Sequence, residues 1–134
     1  GVVPRTKIAP TLRHIGQVSE KYGLTISNIF HAGDGNMHPI ILFDARRPGE
    51  LDRARAAGDE ILRFCVAEGG SITGEHGVGL EKKELLGEQF SEESLEMIRR
   101  LKTLFDPACR LNPGKMLPTG KGCLEIRQPA GMVV

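Results

Sequence analysis

Asp34-Gly35 constrains the fold of this chain more than any other pair of residues. Between two strand-like runs this dipeptide is a strong tight-turn signal, because the favoured hairpin turns need positive φ at their central positions. The runs are Leu24 to Phe30 and Ile40 to Phe43, with Pro39 near the start of the second, where a missing donor is tolerable. A hairpin closing there brings His31 and His38 to the same end of a sheet. A second glycine-bracketed turn, Gly74 to Gly79, follows a short apolar run and holds Glu75 and His76.

Two imidazoles and one carboxylate, with positions left open, are a common way to hold a catalytic divalent ion, whereas structural zinc prefers four closed ligands rich in cysteine. His31, His38, Glu75 and His76 are therefore a candidate ligand set plus a base. The plainer alternative is a Gly-Asp-Gly-Asn turn flanked by ordinary histidines. Adjacent residues on an extended segment point in opposite directions, so Glu75 and His76 face one site only if the backbone turns between them. Gly74 and Gly77 permit that, and His76 is then either a further ligand or the base. Asp34, with Asn36 beside it, is a candidate hydrogen-bond partner behind an imidazole; an aspartate in a turn also bonds its own backbone.

The rest of the chain alternates helices and strands. Pro10 suits a helix start, Leu12, Ile15, Val18 and Tyr22 follow at helical spacing, and Gly23 can close the helix, predicting 10–22. Leu51, Ala54, Gly58, Ile61, Leu62 and Cys65 mark a long amphipathic helix stopped by Gly69-Gly70. Ser71-Ile72-Thr73 is expected to be a short strand, and Leu80 to Leu86 a helix. Ser91 is the expected N-cap of a last helix ended by Asp106-Pro107. With a strand near Val2-Val3, the order is that of an α+β, ferredoxin-like antiparallel sheet with helices packed on one face. Residues 1–118 then form the domain, and 119–134, without sustained periodicity, an irregular tail.

Charge excludes one class of partner: 18 Lys and Arg against 17 Asp and Glu leave no basic surplus for nucleic acid. The three cysteines, Cys65, Cys109 and Cys123, are odd in number and widely spaced, which argues against a disulfide framework and fits a reducing cytoplasm. No apolar run approaches membrane-spanning length. The chain of 134 residues suits a single domain. Its start at Gly1-Val2-Val3-Pro4-Arg5, without an initiating methionine or a glycine-rich phosphate fingerprint, is expected of a fragment.

His31-Ala-Gly-Asp-Gly-Asn-Met-His38, then Gly74-Glu75-His76-Gly77, then Asn112-Pro113-Gly114-Lys115 in this order resemble the C-terminal domain of FAD-linked oxidases. That family takes in glycolate oxidase flavoprotein subunits, D-lactate dehydrogenases and D-2-hydroxyglutarate dehydrogenases. The likeness runs from about Val2 to Leu117, and His38-Pro39-Ile40-Ile41-Leu42-Phe43-Asp44 most resembles the glycolate oxidase subunit. The resemblance implies a 2-hydroxy-acid oxidoreductase that passes hydride to FAD, the flavin being bound mainly by a separate N-terminal domain. It implies a divalent metal (zinc, manganese or iron) on His31, His38 and Glu75, with His76 as base, an imidazole being suited to proton abstraction near neutral pH. Arg5 and Lys7 come from a region whose basic residues meet the substrate carboxylate, and Asn112 from a segment that approaches the flavin. Other subunits of a glycolate oxidase complex are implied partners, at a cytoplasmic location that admits a peripheral place on the inner membrane.

The fragment alone is expected to be inactive and to self-associate through the face that meets the flavin domain. D-2-hydroxyglutarate dehydrogenases carry asparagine two positions after the second histidine, where this chain has Ile40, which favours glycolate or D-lactate over a dicarboxylate. Two rival classes are a metal-dependent hydrolase, although the His-Glu-x-x-His helix of a common zinc protease is missing, and a non-catalytic oligomerisation module.

Overall fold

The computed structural model describes residues 1–118 and divides into two compact units, Gly1–His76 and a second beginning at Gly77. The expected tail, 119–134, lies outside the described residues, as does Cys123.

In the first unit a short 3-10 turn, Arg5–Lys7, leads into α1, Ile8–Tyr22. The helix starts two residues before the expected Pro10, because a proline in the first helical turn loses only an N–H that has no intrahelical partner anyway. It ends at Gly23, whose φ of 61° is the left-handed cap anticipated there. The hairpin follows as β1, Thr25–His31, and β2, Asn36–Leu42, antiparallel from Thr25↔Leu42 to His31↔Asn36. The second strand thus begins four residues before the expected Ile40. Pairing runs through polar Asn36 and His38, which an apolar-run criterion passes over, and Pro39 sits inside the strand opposite Asn28. A four-residue loop, Ala32 to Gly35, joins the strands. The carbonyl of His31 accepts from the N–H groups of both Asp34 and Gly35 at 3.0 Å.

Helix α2, Glu50–Ala67, slightly exceeds its expected bounds and gives way at Gly69, φ 79°. The segments around Val2 and Ser71 are reduced to single bridges, Val2↔Asn36 and Val2↔Ser71, both antiparallel. The neighbour order Ser71, Val2, β2, β1 is that of a ferredoxin-like sheet whose outer half is abbreviated, so the architecture is α+β as read. Strand pairs alternate between the two faces of the sheet. Ile26, Met37 and Ile41 face α1 and α2, joining Ile15, Val18, Ala57, Ile61 and Cys65 in the core. Burial pushes the Cys65 thiol pKa up, in keeping with an inert core residue.

In the second unit the expected helix from Leu80 to Leu86 is displaced to a 3-10 turn, Lys83–Leu85, and one α-turn, α3, Leu86–Gln89. Gly79, at φ 60°, precedes it. Helix α4, Glu92–Phe105, is capped by Ser91, whose hydroxyl accepts from the Ser94 N–H at 3.3 Å, as its sequence position foretold. At the other end Asp106 accepts from Lys102 Nζ at 2.6 Å and from the N–H groups of Arg110 and Leu111 at 2.8 and 2.9 Å. These bonds hold its carboxyl pKa down to about 2. Among the described residues no helix is long and apolar enough to cross a membrane.

Candidate metal and catalytic site

The hairpin register sets the first half of the site. Ile29↔His38 and His31↔Asn36 are two residues apart along the ladder, so His31 and His38 project from the same face, the one turned away from α1 and α2. Their rings meet edge to face with centroids 5.4 Å apart. The loop between them is held by backbone: Val3 N–H donates to the Gly35 carbonyl at 3.0 Å, and a Cβ at Gly35 would run into the Val3 carbonyl oxygen. At φ 72°, Gly35 also occupies a conformation that other residues rarely adopt.

The second half arrives from the segment after α2. Val2 exchanges backbone hydrogen bonds with Ser71 at 2.8 and 3.0 Å, which aligns Ser71 to Gly74 beside the hairpin. Gly74 then packs directly on Asn36: a Cβ there would lie 2.6 Å from Val2 Cγ2 and 2.7 Å from Asn36 Oδ1. Glu75 and His76 face one another's side chains, and the chain turns just past them at Gly77, φ 78°. Glu75 Oε1 lies 3.0 Å from His38 Nε2, 3.3 Å from His76 Nε2 and 3.9 Å from His31 Nε2.

One ligand atom each from His31, His38 and Glu75 falls within 4.8 Å of the other two. Around a tetrahedral ion with bonds of about 2.0–2.2 Å, donor atoms stand about 3.4 Å apart. The spread here brackets that value, and two imidazoles with one carboxylate are a donor set suited to zinc, manganese or iron. Three donors leave coordination positions free. The His38 side chain is 23% exposed and that of His76 71%, so the cluster is anchored on the sheet and open above it. His76 Nε2 is close enough to Glu75 to be a neighbour of any bound ligand, and its ring lies 5.2 Å from that of His38.

The other sequence candidates are distributed differently. Asp34 is exposed, its N–H used in the turn, and its carboxylate bonds neither imidazole. Asn36 is buried, and its contact is with Gly74 rather than with a ring nitrogen. Lys7 is engaged by Glu68 at 2.8 Å, while Arg5 is exposed two residues past Val3. Asn112 belongs to the second unit, where, at φ 48°, it starts a turn that its carbonyl closes by accepting from Lys115 N–H at 3.3 Å.

Sequence reasoning missed the contact of Asn36 with Gly74; a glycine immediately before a candidate ligand was the available signal. It also passed over Ile29, which stands directly opposite His38 and, with Ile40 and Leu42, leaves an exposed apolar strip on the same sheet face.

Comparison with known proteins bears on this arrangement. A family model described as FAD linked oxidases, C-terminal domain, matches residues 1–116. The chain is 48% identical over 126 residues to glycolate oxidase subunit GlcD of Escherichia coli strain K12, covering 94% of this chain and 25% of that protein. It is 38% identical over 117 residues to D-lactate dehydrogenase of Archaeoglobus fulgidus, covering 86% and 25%. It is 35% identical over 115 residues to mitochondrial D-2-hydroxyglutarate dehydrogenase of Bos taurus, covering 86% and 19%. The chain thus spans about a quarter of the length of the first two of these relatives.

Proposed function

Because this chain belongs to the family of FAD-linked oxidase C-terminal domains, we propose that it is the substrate- and metal-binding domain of an FAD-dependent 2-hydroxy-acid dehydrogenase of glycolate or D-lactate type. The observation that carries the reading is the convergence of His31, His38 and Glu75 on one open sheet face, with His76 beside them. The reaction is oxidation of a 2-hydroxy acid to a 2-oxo acid, and FAD, bound mainly outside this chain, supplies the hydride acceptor. His31 Nε2, His38 Nε2 and a Glu75 carboxylate oxygen hold a divalent ion, which when bound supplies Lewis acidity toward hydroxyl and carboxylate oxygens.

His76 takes the substrate hydroxyl proton on Nε2. Its exposure leaves that nitrogen reachable from the open side, and a positioned base is worth roughly a hundred- to ten-thousand-fold in rate. Arg5 is the residue of its stretch left to meet a substrate carboxylate, since Lys7 is committed to Glu68. Asn36 orients Glu75 by holding Gly74 in place, and Asp34 shapes the loop between the histidines. Asn112 contributes toward the flavin from the second unit. Ile40, on the His38 face, offers nothing to a distal carboxylate, which favours glycolate or D-lactate.

The test uses the full-length parent. Mixing it anaerobically with glycolate, D-lactate and D-2-hydroxyglutarate should bleach its flavin absorbance with one of the first two most efficiently. His76→Ala should slow that bleaching a hundredfold or more while retaining metal. A parent without flavin, or one unaffected by His76→Ala, overturns the reading. The 134-residue chain alone should turn over no 2-hydroxy acid.

A further inference from the structure

Left-handed backbone outside glycine is confined, among the described residues, to one stretch: Cys109, Asn112 and Met116 have φ of 50, 48 and 78°. Asparagine tolerates this region, but the Cβ of cysteine or methionine crowds the backbone there, and such strain persists only where the surroundings dictate it. Here they do. Cys109 N–H donates to the Asp106 carbonyl at 3.0 Å and Met116 N–H to the Gly79 carbonyl at 3.0 Å, while Lys83 Nζ donates to the Gly114 carbonyl at 3.4 Å. The strongest hold is the ion pair at the end of α4, where Lys102 Nζ and Asp106 Oδ2 are 2.6 Å apart at 18 and 6% side-chain exposure. Both partners reach the same residue. Lys102 Nζ donates to the Leu111 carbonyl at 2.7 Å, Asp106 Oδ2 accepts from Leu111 N–H at 2.9 Å, and Asp106 Oδ1 accepts from Arg110 N–H at 2.8 Å. One charge pair thus fixes both polar groups of the Leu111 backbone, and the next residue, Asn112, is exposed. A loop that merely had to leave the helix would put glycine at its left-handed positions and leave its backbone to water. A nearly buried ion pair that instead holds a strained, exposed turn in one shape is a preorganising support.

We propose that Lys102 and Asp106 are positioning residues: by fixing Leu111 they set where the Asn112 side chain stands against the flavin. That Asn112 meets the flavin rests on the functional reading above. The pair acts through the backbone of Leu111 rather than on the cofactor itself, so its loss displaces Asn112 without removing any group from the chemistry. A misplacement of about 1 Å transmitted from a distant residue can cost about a hundredfold in rate.

The experiment is a double-mutant cycle in the full-length parent, with Lys102→Gln, Asn112→Ala and the two together, each checked for bound flavin before anaerobic mixing with glycolate or D-lactate. Lys102→Gln should lower the limiting rate of flavin bleaching by about ten- to a hundredfold, with the half-saturating substrate concentration unchanged. It should also shift the visible flavin bands in the direction in which Asn112→Ala shifts them. In the Asn112→Ala background the same substitution should change the rate by less than about twofold, because the residue it acts through is gone. Lys102→Arg, which keeps a charged donor, should recover most of the rate. Asp106→Asn, which keeps the shape and one acceptor oxygen of the side chain, goes through the same cycle, so the outcome does not hang on one variant folding. Losses that multiply independently, a change in half-saturation alone, or unchanged bleaching and spectrum in folded Lys102→Gln or Asp106→Asn overturn the proposal. A parent without flavin, or an Asn112→Ala variant that leaves spectrum and rate alone, registers separately as failure of the functional reading and removes the proposal with it.

Discussion

Adding one methyl group at Gly74 should disable the site without touching any candidate ligand. In Gly74→Ala the new Cβ would sit 2.6 Å from Val2 Cγ2, 2.7 Å from Asn36 Oδ1 and 2.9 Å from Asn36 Cγ. Carbon atoms in comfortable contact stand about 3.5–4.0 Å apart, so roughly 1 Å of movement is required. Neither neighbour yields readily: Asn36 is buried, and Val2 is pinned by bridges to Asn36 on one side and Ser71 on the other. The strain is therefore relieved by the 74–75 segment moving out from the hairpin, carrying Glu75 with it. Metal–ligand distances tolerate only about 0.2 Å. A displaced carboxylate should weaken metal binding by about ten- to a hundredfold, and the overpacking should cost about 1–3 kcal/mol of fold stability. Gly33→Ala is the matched control, since a Cβ there meets nothing within 4 Å and the residue has no positive φ. It should change stability by less than about 0.5 kcal/mol and leave affinity alone. Chelator competition and thermal unfolding read both quantities. Metal affinity within twofold of wild type in Gly74→Ala, or an equal loss in Gly33→Ala, would refute the reasoning.

Two further outcomes follow from the packing. Gly16 lies inside α1 with open space where a Cβ would go, so Gly16→Ala should stabilise by about 0.5–1 kcal/mol, seen as a higher Tm; a lower Tm would mean that the helix surface there is in use. The Asp106 carboxyl, with its pKa lowered from 3.8 to about 2 chiefly by Lys102, stabilises fully above its unfolded value and loses that contribution as pH falls through about 2. Asp106→Asn should therefore lower stability at neutral pH and flatten its decline between about pH 4 and pH 2. Circular dichroism melts across that range would contradict this if the two proteins declined in parallel.

What could be read from the chain alone depended on whether the signal was local. Ser91 as a cap and Gly23 as a helix stop are local chemistry, and both stand where expected. The start of β2 was not legible, because Asn36 and His38 are polar and Pro39 resembles a boundary, while the pairing that includes them is dictated by β1 across the loop. Val2 and Ser71 each contribute one bridge, too little for any periodicity to mark, although together they align the Glu75 segment with the hairpin. The convergence of His31, His38 and Glu75 was legible because glycine-rich turns and ligand types coincide. The contact of Asn36 with Gly74 was not: Asn36 stood in the sequence only as the neighbour of Asp34 near the histidines, and the fold alone brings it under Gly74.

The division of labour between ligands and base is tested most directly by measuring metal content per flavin in the purified full-length parent, alongside His38→Ala, Glu75→Gln and His76→Ala. One divalent ion per flavin is predicted for the parent, a large loss in His38→Ala and Glu75→Gln, and full retention in His76→Ala. Metal retained in His38→Ala, or lost equally in His76→Ala, would contradict the assignment.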